Sequence, residues 1–179
     1  MARISYSQIS MYSDCPLRWK LNYVDRLSIS ESNIHLIFGT AMHEVLQHYL
    51  NVMYAETAKK ADEIDLNKML RDNLMEQFKL AEEKDGKAPC TKEELMEVDL
   101  KNNIKMVGYL DIVMRHIPTD SVKIIDIKTS TMGWNKWMKK DENKTQQLLL
   151  YKQFFSKQYD HPIERIDVEY FIVKRKLYE

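Results

Sequence analysis

The sequence is poor in residues that end or bend regular structure, since its 179 residues include four glycines and four prolines. It has two cysteines, Cys15 and Cys90, too few and too far apart for a disulfide framework or a zinc module, so we expect two free thiols. No apolar run approaches the roughly 18 residues of a membrane span, and the N-terminus lacks the basic and then apolar pattern of a secretion signal. These absences argue against a membrane protein or a disulfide-stapled secreted protein, and they favour a cytoplasmic location.

An excess of positive charge is also lacking, because 27 basic and 27 acidic residues give a formal net charge of zero. A protein that coats duplex DNA through bulk electrostatics would need a basic surplus, so any contact with nucleic acid must be local. Two stretches are locally basic, one at Lys136, Lys139, Lys140 and Lys144 and one at 174–176. Such runs are usually solvated faces, so neither establishes a binding site alone.

Hydrophobic residues make up 44% of the chain and charged residues 30%, which is typical of a soluble globular protein. The length is most simply that of one domain, 1–179, with a helical portion over about 1–104 and a sheet-and-helix portion over about 105–179. The chain ends abruptly after its last predicted strand. This leaves open whether the C-terminus is natural or the chain has been cut short.

Apolar residues recur at helical spacing through much of the first hundred residues. Ser5 or Ser7 is predicted to cap a first short helix, which ends near Cys15 because a residue before proline avoids the helical conformation. A capping-box pattern at Thr91–Glu94 predicts another helix start. Residues 25–37 are predicted as a loop or irregular strand. Further helices are predicted over about 16–24, 38–60, 65–83, 91–102 and 144–158.

A change to two-residue periodicity predicts strands in the second half of the chain. A turn at Ile117–Ser121 joins two of them into an antiparallel hairpin, whose predicted register places Asp111 opposite Lys128 and Val113 opposite Asp126. We therefore predict an α/β fold with a small mixed sheet flanked by helices. The predicted strands cover 105–115, the segment around Asp126, and about 166–173.

The strand Ile124–Ser130 is apolar except for an acid and a lysine two residues apart. Asp126 and Lys128 share one face of this strand, because successive side chains point to opposite faces. Burying a carboxylate and an ammonium together is costly unless something uses them. The two residues are therefore either a buried ion pair or part of a functional site.

Three more polar side chains are predicted on elements that otherwise look buried. His43 lies at the border of an apolar helix face, Asp111 on the neighbouring strand, and Gln147 in the middle of another apolar face, whereas Glu44 points outward. Each has an ordinary structural explanation when taken alone. Together with Asp126, however, the set contains two carboxylates and an imidazole, which suit Mg²⁺ or Mn²⁺.

Lys128 supplies the cationic group that such a site needs for phosphoryl chemistry. Beside a metal ion, its ammonium would orient or help to deprotonate a water and would stabilise negative charge that develops at phosphorus. The combination of residues predicts a metal-dependent phosphodiesterase.

Five short motifs, in this order along the chain, resemble the PD-(D/E)XK nucleases. Within that superfamily they are most similar to the RecB-type exonuclease branch, which includes the CRISPR-associated exonucleases and many phage nucleases. The resemblance spans nearly the whole chain, and the order of the motifs makes it specific. The motifs are Ser5-x-Ser7-x-Ile9-x-x-Tyr12-x-x-Cys15-Pro16, Gly39-x-x-x-His43, Gly108-x-x-Asp111, Asp126-x-Lys128-Thr129-Ser130 and Gln147-x-x-x-Tyr151.

The resemblance implies a restriction-endonuclease-like core and a Mg²⁺- or Mn²⁺-dependent deoxyribonuclease, specifically an exonuclease in recombination, repair or phage DNA processing. Many relatives place a Glu on the first long helix, which makes Glu44 an alternative ligand, but its outward angle favours His43. The resemblance implies that one or two metal ions are held by His43, Asp111, Asp126 and the backbone carbonyl of Ile127.

The same resemblance makes Lys128 the catalytic lysine, with Gln147 and Tyr151 helping to position substrate or that lysine. Several members of the branch also bind an iron-sulfur cluster through the Cys of the Cys-Pro segment and three later Cys residues. Cys15 matches the first position, but no Cys follows Gln147. We therefore expect no cluster in this chain and interpret Cys15 as a small buried hydrophobe.

Trp134 and Trp137 flank Lys136 in a predicted loop that also contains Lys139 and Lys140. Their rings are either core anchors or platforms for unpaired bases, with the lysines meeting phosphates, so DNA in single-stranded form is a candidate partner. Two alternatives remain for the whole chain. One is a catalytically silent nuclease-fold module that binds nucleic acid or a protein partner, and the other is a helical scaffold whose acid and lysine form a buried ion pair.

Overall fold

The structure, a computed structural model, describes residues 2–27, 34–56, 58–83, 94–100, 104–130 and 142–174. Its internal contacts divide the chain into two compact units, which are described separately. The first unit comprises Met1–Ser28 together with Glu93–Glu179, and the second comprises Ile29–Lys92. Within the described residues, no helix is both long enough and apolar enough to cross a lipid bilayer.

Every strand among the described residues belongs to the first unit, and these strands form two three-stranded sheets. They are β1 (Ala2–Ser5), β2 (Glu94–Asp99), β3 (Ile104–Leu110), β4 (Ile112–His116), β5 (Ser121–Ser130) and β6 (Ile166–Lys174). In the first sheet β3 pairs with β1 in parallel and with β2 antiparallel, and in the second β5 pairs with β4 antiparallel and with β6 in parallel. Both sheets are mixed, which confirms the predicted α/β class.

Helices occur in both units. They are α1 (Tyr6–Asp14), α2 (Pro16–Trp19), α3 (Ile34–Asn51), α4 (Ala58–Asp62), α5 (Leu66–Glu83) and α6 (Glu142–Tyr159). Short π-helical segments, Lys20–Val24 and Val52–Glu56, extend α2 and α3, and a single 3₁₀ turn, Ile163–Arg165, precedes β6. The predicted positions of α1, α2, α5 and α6 are confirmed, and α3 begins at Ile34, before the predicted start at residue 38.

The N-terminal helices are capped by side chains. The Ser5 hydroxyl accepts a hydrogen bond from the backbone N–H of Gln8, at 3.4 Å, and so caps α1 as predicted. The Cys15 sulfur accepts from the N–H of Arg18, at 3.5 Å, and caps α2. Cys15 is exposed, so its interpretation as a buried hydrophobe was wrong, because the thiol is used at a helix start on the surface.

The helix predicted over 91–102 is wrong, because Glu94–Asp99 forms β2 and pairs with β3. Met96 and Val98 are buried while Leu95 and Asp99 are exposed, which is the two-residue alternation of a strand rather than a helical stripe. Residues 91–93 of the capping-box pattern lie outside the described residues. Tertiary pairing therefore overrides the local helix signal.

The strand predicted over 105–115 is in fact two strands, which a bend at Asp111 separates. Asp is unfavourable inside a strand, and the Asp111 carboxylate instead accepts a hydrogen bond from the Ile127 N–H at 2.6 Å. The break sends β3 into the first sheet and β4 into the second.

The predicted hairpin register is wrong by two residues, because Val113 pairs with Ile124 rather than Asp126. The four-residue turn starts one residue earlier than predicted, and it ends at Asp120, whose φ of 51° lies in the left-handed region that Asp tolerates. Hydrogen bonding from Arg115 lowers the pKa of Asp120 and helps to hold this turn. A register shift of two residues keeps every side chain on its predicted face. If the observed pairing is extended by one residue beyond Ile112, Asp111 lies across from Asp126.

Helix α6 covers both sheets of the first unit and completes its core. Tyr151 and Phe155 of α6 are buried with residues from β2, β3, β5 and β6. The other members of this cluster are Met96, Leu110, Val122, Ile124 and Ile166. The face of α6 that was predicted to be apolar is therefore the face that packs, and the same face carries Gln147.

In the second unit α3 packs against α5, with Ile37, Ala41 and Val45 buried on α3. The prediction that Glu44 points outward was wrong, because Gln77 of α5 is 4% exposed and its Nε2 donates to Glu44 Oε1 at 3.1 Å. A single-helix wheel does not show which side a neighbouring helix covers, and this carboxylate lies beside α5.

This partly buried position makes stability depend on pH through Glu44. Burial raises the pKa of Glu44 above its usual value of 4.5, and the Glu76 carboxylate adds to the increase. Because the folded-state pKa is the higher one, the ionised group destabilises the fold as pH rises through 4.5 and beyond. We expect Glu44→Gln, which keeps an oxygen acceptor for Gln77, to raise the melting temperature at pH 7 and to lose this advantage in acid.

Thermal unfolding measured over a pH series tests this expectation, with the exposed Glu63→Gln as a matched control. An unchanged melting temperature of the Glu44→Gln variant at every pH would contradict it.

Candidate active site

The centre of the candidate site is the middle of β5, where the strand is buried on both faces. Asp126 is 3% exposed there, between buried Ile125 and Ile127. The Lys128 Nζ lies 2.6 Å from Asp126 Oδ2, and the lysine side chain is 41% exposed. The acid is thus fixed inside the unit while its cationic partner reaches the surface, so the ion pair is open to a ligand on one side.

Asp111 joins this site from the break between β3 and β4. Its Oδ2 lies 2.6 Å from the N–H of Ile127, the residue between Asp126 and Lys128. A charge-assisted hydrogen bond to the backbone is short and directional, so it fixes the Asp111 carboxylate beside the middle of β5.

Helix α6 contributes Gln147 and Tyr151, one turn apart. Gln147 Nε2 lies 2.9 Å from the Tyr151 hydroxyl and 3.4 Å from Asp126 Oδ1. A carboxylate only accepts hydrogen bonds, so the nitrogen of the amide is the end that must face Asp126. Tyr151 is buried, and its hydroxyl therefore holds the amide in this orientation.

Tyr170 on β6 also belongs to the site, although no motif pointed to it. It is the register partner of Asp126 in the parallel pair of β5 and β6. Its hydroxyl donates to the Lys144 carbonyl at 2.5 Å and lies 3.5 Å from Gln147 Oε1. The one available signal was its position between apolar Ile166, Val168 and Ile172 on one face of β6, where its hydroxyl is the polar group nearest the middle of the strand.

An open pocket of about 570 Å³ lies over these residues, entirely within the first unit. Its wall on one side is formed by Asp111, Asp126, Lys128, Gln147 and Tyr151. Its other wall comes from the N-terminal segment, which was recognised as a motif but given no role. That wall includes Ser5, Ser7, Ser10 and Arg18, whose hydroxyls and guanidinium are suited to phosphate oxygens, and the Asp14 carboxylate, which would repel them.

The residues present fit a hard divalent cation. Asp111 and Asp126 offer carboxylate oxygens to one pocket, and the resemblance adds the carbonyl of Ile127 between Asp126 and Lys128. Oxygen donors of this type suit Mg²⁺ and Mn²⁺, which commonly keep several waters and bind through one or two carboxylates plus phosphate oxygens. Among the described residues no three His, Cys, Asp or Glu side chains form a metal-binding group.

The remaining predicted site residues belong to the second unit or lie outside the described residues. His43 is on α3 in the second unit, where it is partly buried, so its role as a third ligand stays a prediction. The predicted nucleic-acid-binding loop lies outside the described residues, and it comprises Trp134, Lys136, Trp137, Lys139 and Lys140.

Comparison with known proteins identifies the family of the chain. A search of curated proteins gives no significant match. The family model of the PD-(D/E)XK nuclease superfamily matches residues 3–179, which is almost the whole chain. The chain therefore belongs to the PD-(D/E)XK nuclease superfamily.

Proposed function

We propose that this chain is a Mg²⁺- or Mn²⁺-dependent nuclease that hydrolyses DNA phosphodiester bonds, and that it acts as an exonuclease of the RecB type. The observation that carries the proposal is the meeting of Asp111, Asp126 and Lys128 at one open pocket, with Asp126 nearly inaccessible. A structural ion pair does not need a second carboxylate beside it or a pocket above it, whereas metal-dependent phosphodiester hydrolysis uses carboxylates to hold the ion and an open pocket to admit the phosphate.

Each polar side chain of the site would have a separate role in such a reaction. Asp111 and Asp126 would hold the metal, and Gln147 would keep the Asp126 carboxylate oriented through its amide nitrogen. Lys128, the exposed partner, would donate hydrogen bonds to the scissile phosphate or to the attacking water and oppose the negative charge of the transition state. A bound divalent cation supplies Lewis-acid activation of water and neutralises charge on the phosphate.

Two further parts of the proposal come from the sequence. His43 would be the third protein ligand, since the resemblance assigns that position to the first long helix. Trp134 and Trp137 would stack on unpaired bases, which makes single-stranded DNA the preferred form of substrate. A role in recombination, repair or phage DNA processing follows from the same resemblance.

The experiment that tests the proposal is degradation of end-labelled linear and of circular DNA, in single- and double-stranded forms, with Mg²⁺ or Mn²⁺. We expect loss of linear DNA, no cutting of circles, and full inhibition by EDTA that added metal reverses. The matched control is Asp111→Asn, which keeps an oxygen to accept from the Ile127 N–H. Equal degradation by wild type and this variant would refute the proposal, and cutting of circles would replace the exonuclease assignment by an endonuclease.

A purely structural ion pair of Asp126 and Lys128 makes the opposite prediction for metal binding as well as for cleavage. It predicts that neither EDTA nor Mn²⁺ changes the melting temperature, whereas a functional site is stabilised by the ion that binds it. Thermal unfolding with and without Mn²⁺ therefore separates the two without any substrate.

A further inference from the structure

Tyr170 touches the candidate site from the side opposite Asp111. The site lies along β5, whose two neighbours are β4, next to the Asp111 break, and β6, which carries Tyr170. Side chains of register partners in a parallel pair emerge on the same face, so Tyr170 stands beside Asp126 on the face that Lys128 shares.

The Tyr170 ring restricts Lys128. The lysine Nζ lies 6.0 Å from the ring centroid and 2.6 Å from Asp126 Oδ2. The ion pair fixes only the end of a flexible four-carbon side chain that is itself 41% exposed. An aromatic face near the ammonium adds a second attraction from another direction, which favours the geometry in which Lys128 remains over the pocket.

The Tyr170 hydroxyl restricts α6. It donates to the carbonyl of Lys144, in the first turn of that helix, and it lies near Gln147 Oε1. Because the Gln147 nitrogen faces Asp126 and Tyr151, its oxygen faces Tyr170, and the amide is bracketed on three sides. One side chain therefore constrains both the lysine and the amide that meet Asp126.

We propose that Tyr170 is a positioning residue of the nuclease site, whose ring holds the Lys128 ammonium while its hydroxyl fixes the first turn of α6 and the Gln147 amide. The inference rests on the proposed function. Two variants separate the two contributions, because Tyr170→Phe keeps the ring and loses the hydroxyl, whereas Tyr170→Leu loses both. The matched control is Phe171→Leu, an exposed aromatic residue next along β6.

The first test needs no activity and uses the chain after reductive ¹³C-methylation of its lysines. The Lys128 resonance, assigned through its loss in Lys128→Arg, is expected to be displaced by the ring current of Tyr170. It should move toward the exposed lysines in Tyr170→Leu and stay in place in Tyr170→Phe. An unchanged Lys128 resonance in Tyr170→Leu would overturn the proposal, and this reading holds even if the chain cleaves no DNA.

The second test is steady-state cleavage of DNA. We expect Tyr170→Leu to lower kcat roughly three- to tenfold, the scale of one cation–π contact plus a hydrogen bond. The KM should change by less than about twofold, because the ring acts on the lysine rather than on substrate binding. Tyr170→Phe should fall between wild type and Tyr170→Leu, and Phe171→Leu should match wild type.

A purely structural role predicts a different result. It would slow Tyr170→Leu and Phe171→Leu alike, or would raise KM at constant kcat, and either outcome would overturn the proposal. If Tyr170→Leu does not fold, Tyr170→Phe alone decides. It must keep the Lys128 resonance and lower kcat, and a Phe variant with wild-type kcat would exclude the role of the hydroxyl.

Discussion

Asp126→Asn should cleave DNA slower than wild type by a factor on the order of 10³ or more. Asparagine has nearly the same shape and keeps one oxygen to accept from Gln147, but its NH2 group would then face the Lys128 ammonium, and the negative charge that would hold a divalent cation is gone. The change removes one of two carboxylates at the pocket, and Asp111 alone is a weak site for such an ion. Cleavage of labelled linear DNA by single-turnover kinetics measures the loss.

The same variant should remain folded. Removing one partner of an ion pair is strongly destabilising when the other charge stays buried, but here the remaining charge is that of Lys128, whose side chain is 41% exposed. The ammonium can be hydrated after the substitution. We therefore expect the melting temperature in the absence of metal to change little, while the increase that Mn²⁺ gives to wild type disappears.

A matched control is Asp167→Asn, an exposed Asp→Asn change on β6 in the same sheet. It should cleave at the wild-type rate and keep the response to Mn²⁺. Retained cleavage in Asp126→Asn would remove Asp126 from the chemistry, and a collapse of its stability would mean that the pair with Lys128 is structural.

The sequence predicts those helices and strands whose pattern of buried residues depends on the element alone. The buried run of β5 and the apolar face of α6 are visible in the sequence, because each buries its side chains at a regular period. Strand β2 was missed because only its pairing with β3 selects a strand over the helix that its acidic start favours. The split into two sheets at Asp111 depends on a hydrogen bond to Ile127, sixteen positions away, which no local pattern encodes.

The site residues differ in the same way in whether the sequence alone predicts them. Asp126 and Lys128 follow from alternation within one strand, and Gln147 follows from the wheel of one helix. Tyr170 does not, because its role depends on the parallel register of β6 with β5. The hairpin register was wrong by two residues and still gave the right face for Asp111, since only an odd shift would reverse the faces.

Gly108→Val should lower the free energy of unfolding of the first unit by about 2 kcal/mol, the usual range for overpacking a buried strand. A Cβ atom at Gly108 would lie 3.0 Å from Met96 Cε and 3.1 Å from Tyr151 Cε1. The methionine end can move aside, but the Tyr151 ring is buried against the core and cannot. The higher strand propensity of valine, up to about 1 kcal/mol, offsets only part of this cost.

The displacement of Tyr151 links this stability effect to the chemistry. Its hydroxyl lies 2.9 Å from the Gln147 amide, so a ring pushed away from β3 no longer holds the group that faces Asp126. Chemical unfolding measures the stability of the variants, and single-turnover cleavage measures their rate. Gly108→Ala should destabilise the unit less than Gly108→Val and still slow cleavage. Leu95→Val, at an exposed position of β2 outside the pocket lining, should change neither stability nor rate.

A substitution of Met96 allows the effects of the two close contacts at Gly108 to be measured separately. In a Met96→Leu background, which removes Cε, the stability cost of Gly108→Ala should shrink, because one of its two close contacts is gone. The slower cleavage should persist, because the contact with the Tyr151 ring remains. If the double variant recovers both stability and cleavage rate, the strain is transmitted by Met96 rather than by the Tyr151 ring. The close approach of Gly108 to Tyr151 would then have no part in positioning Gln147.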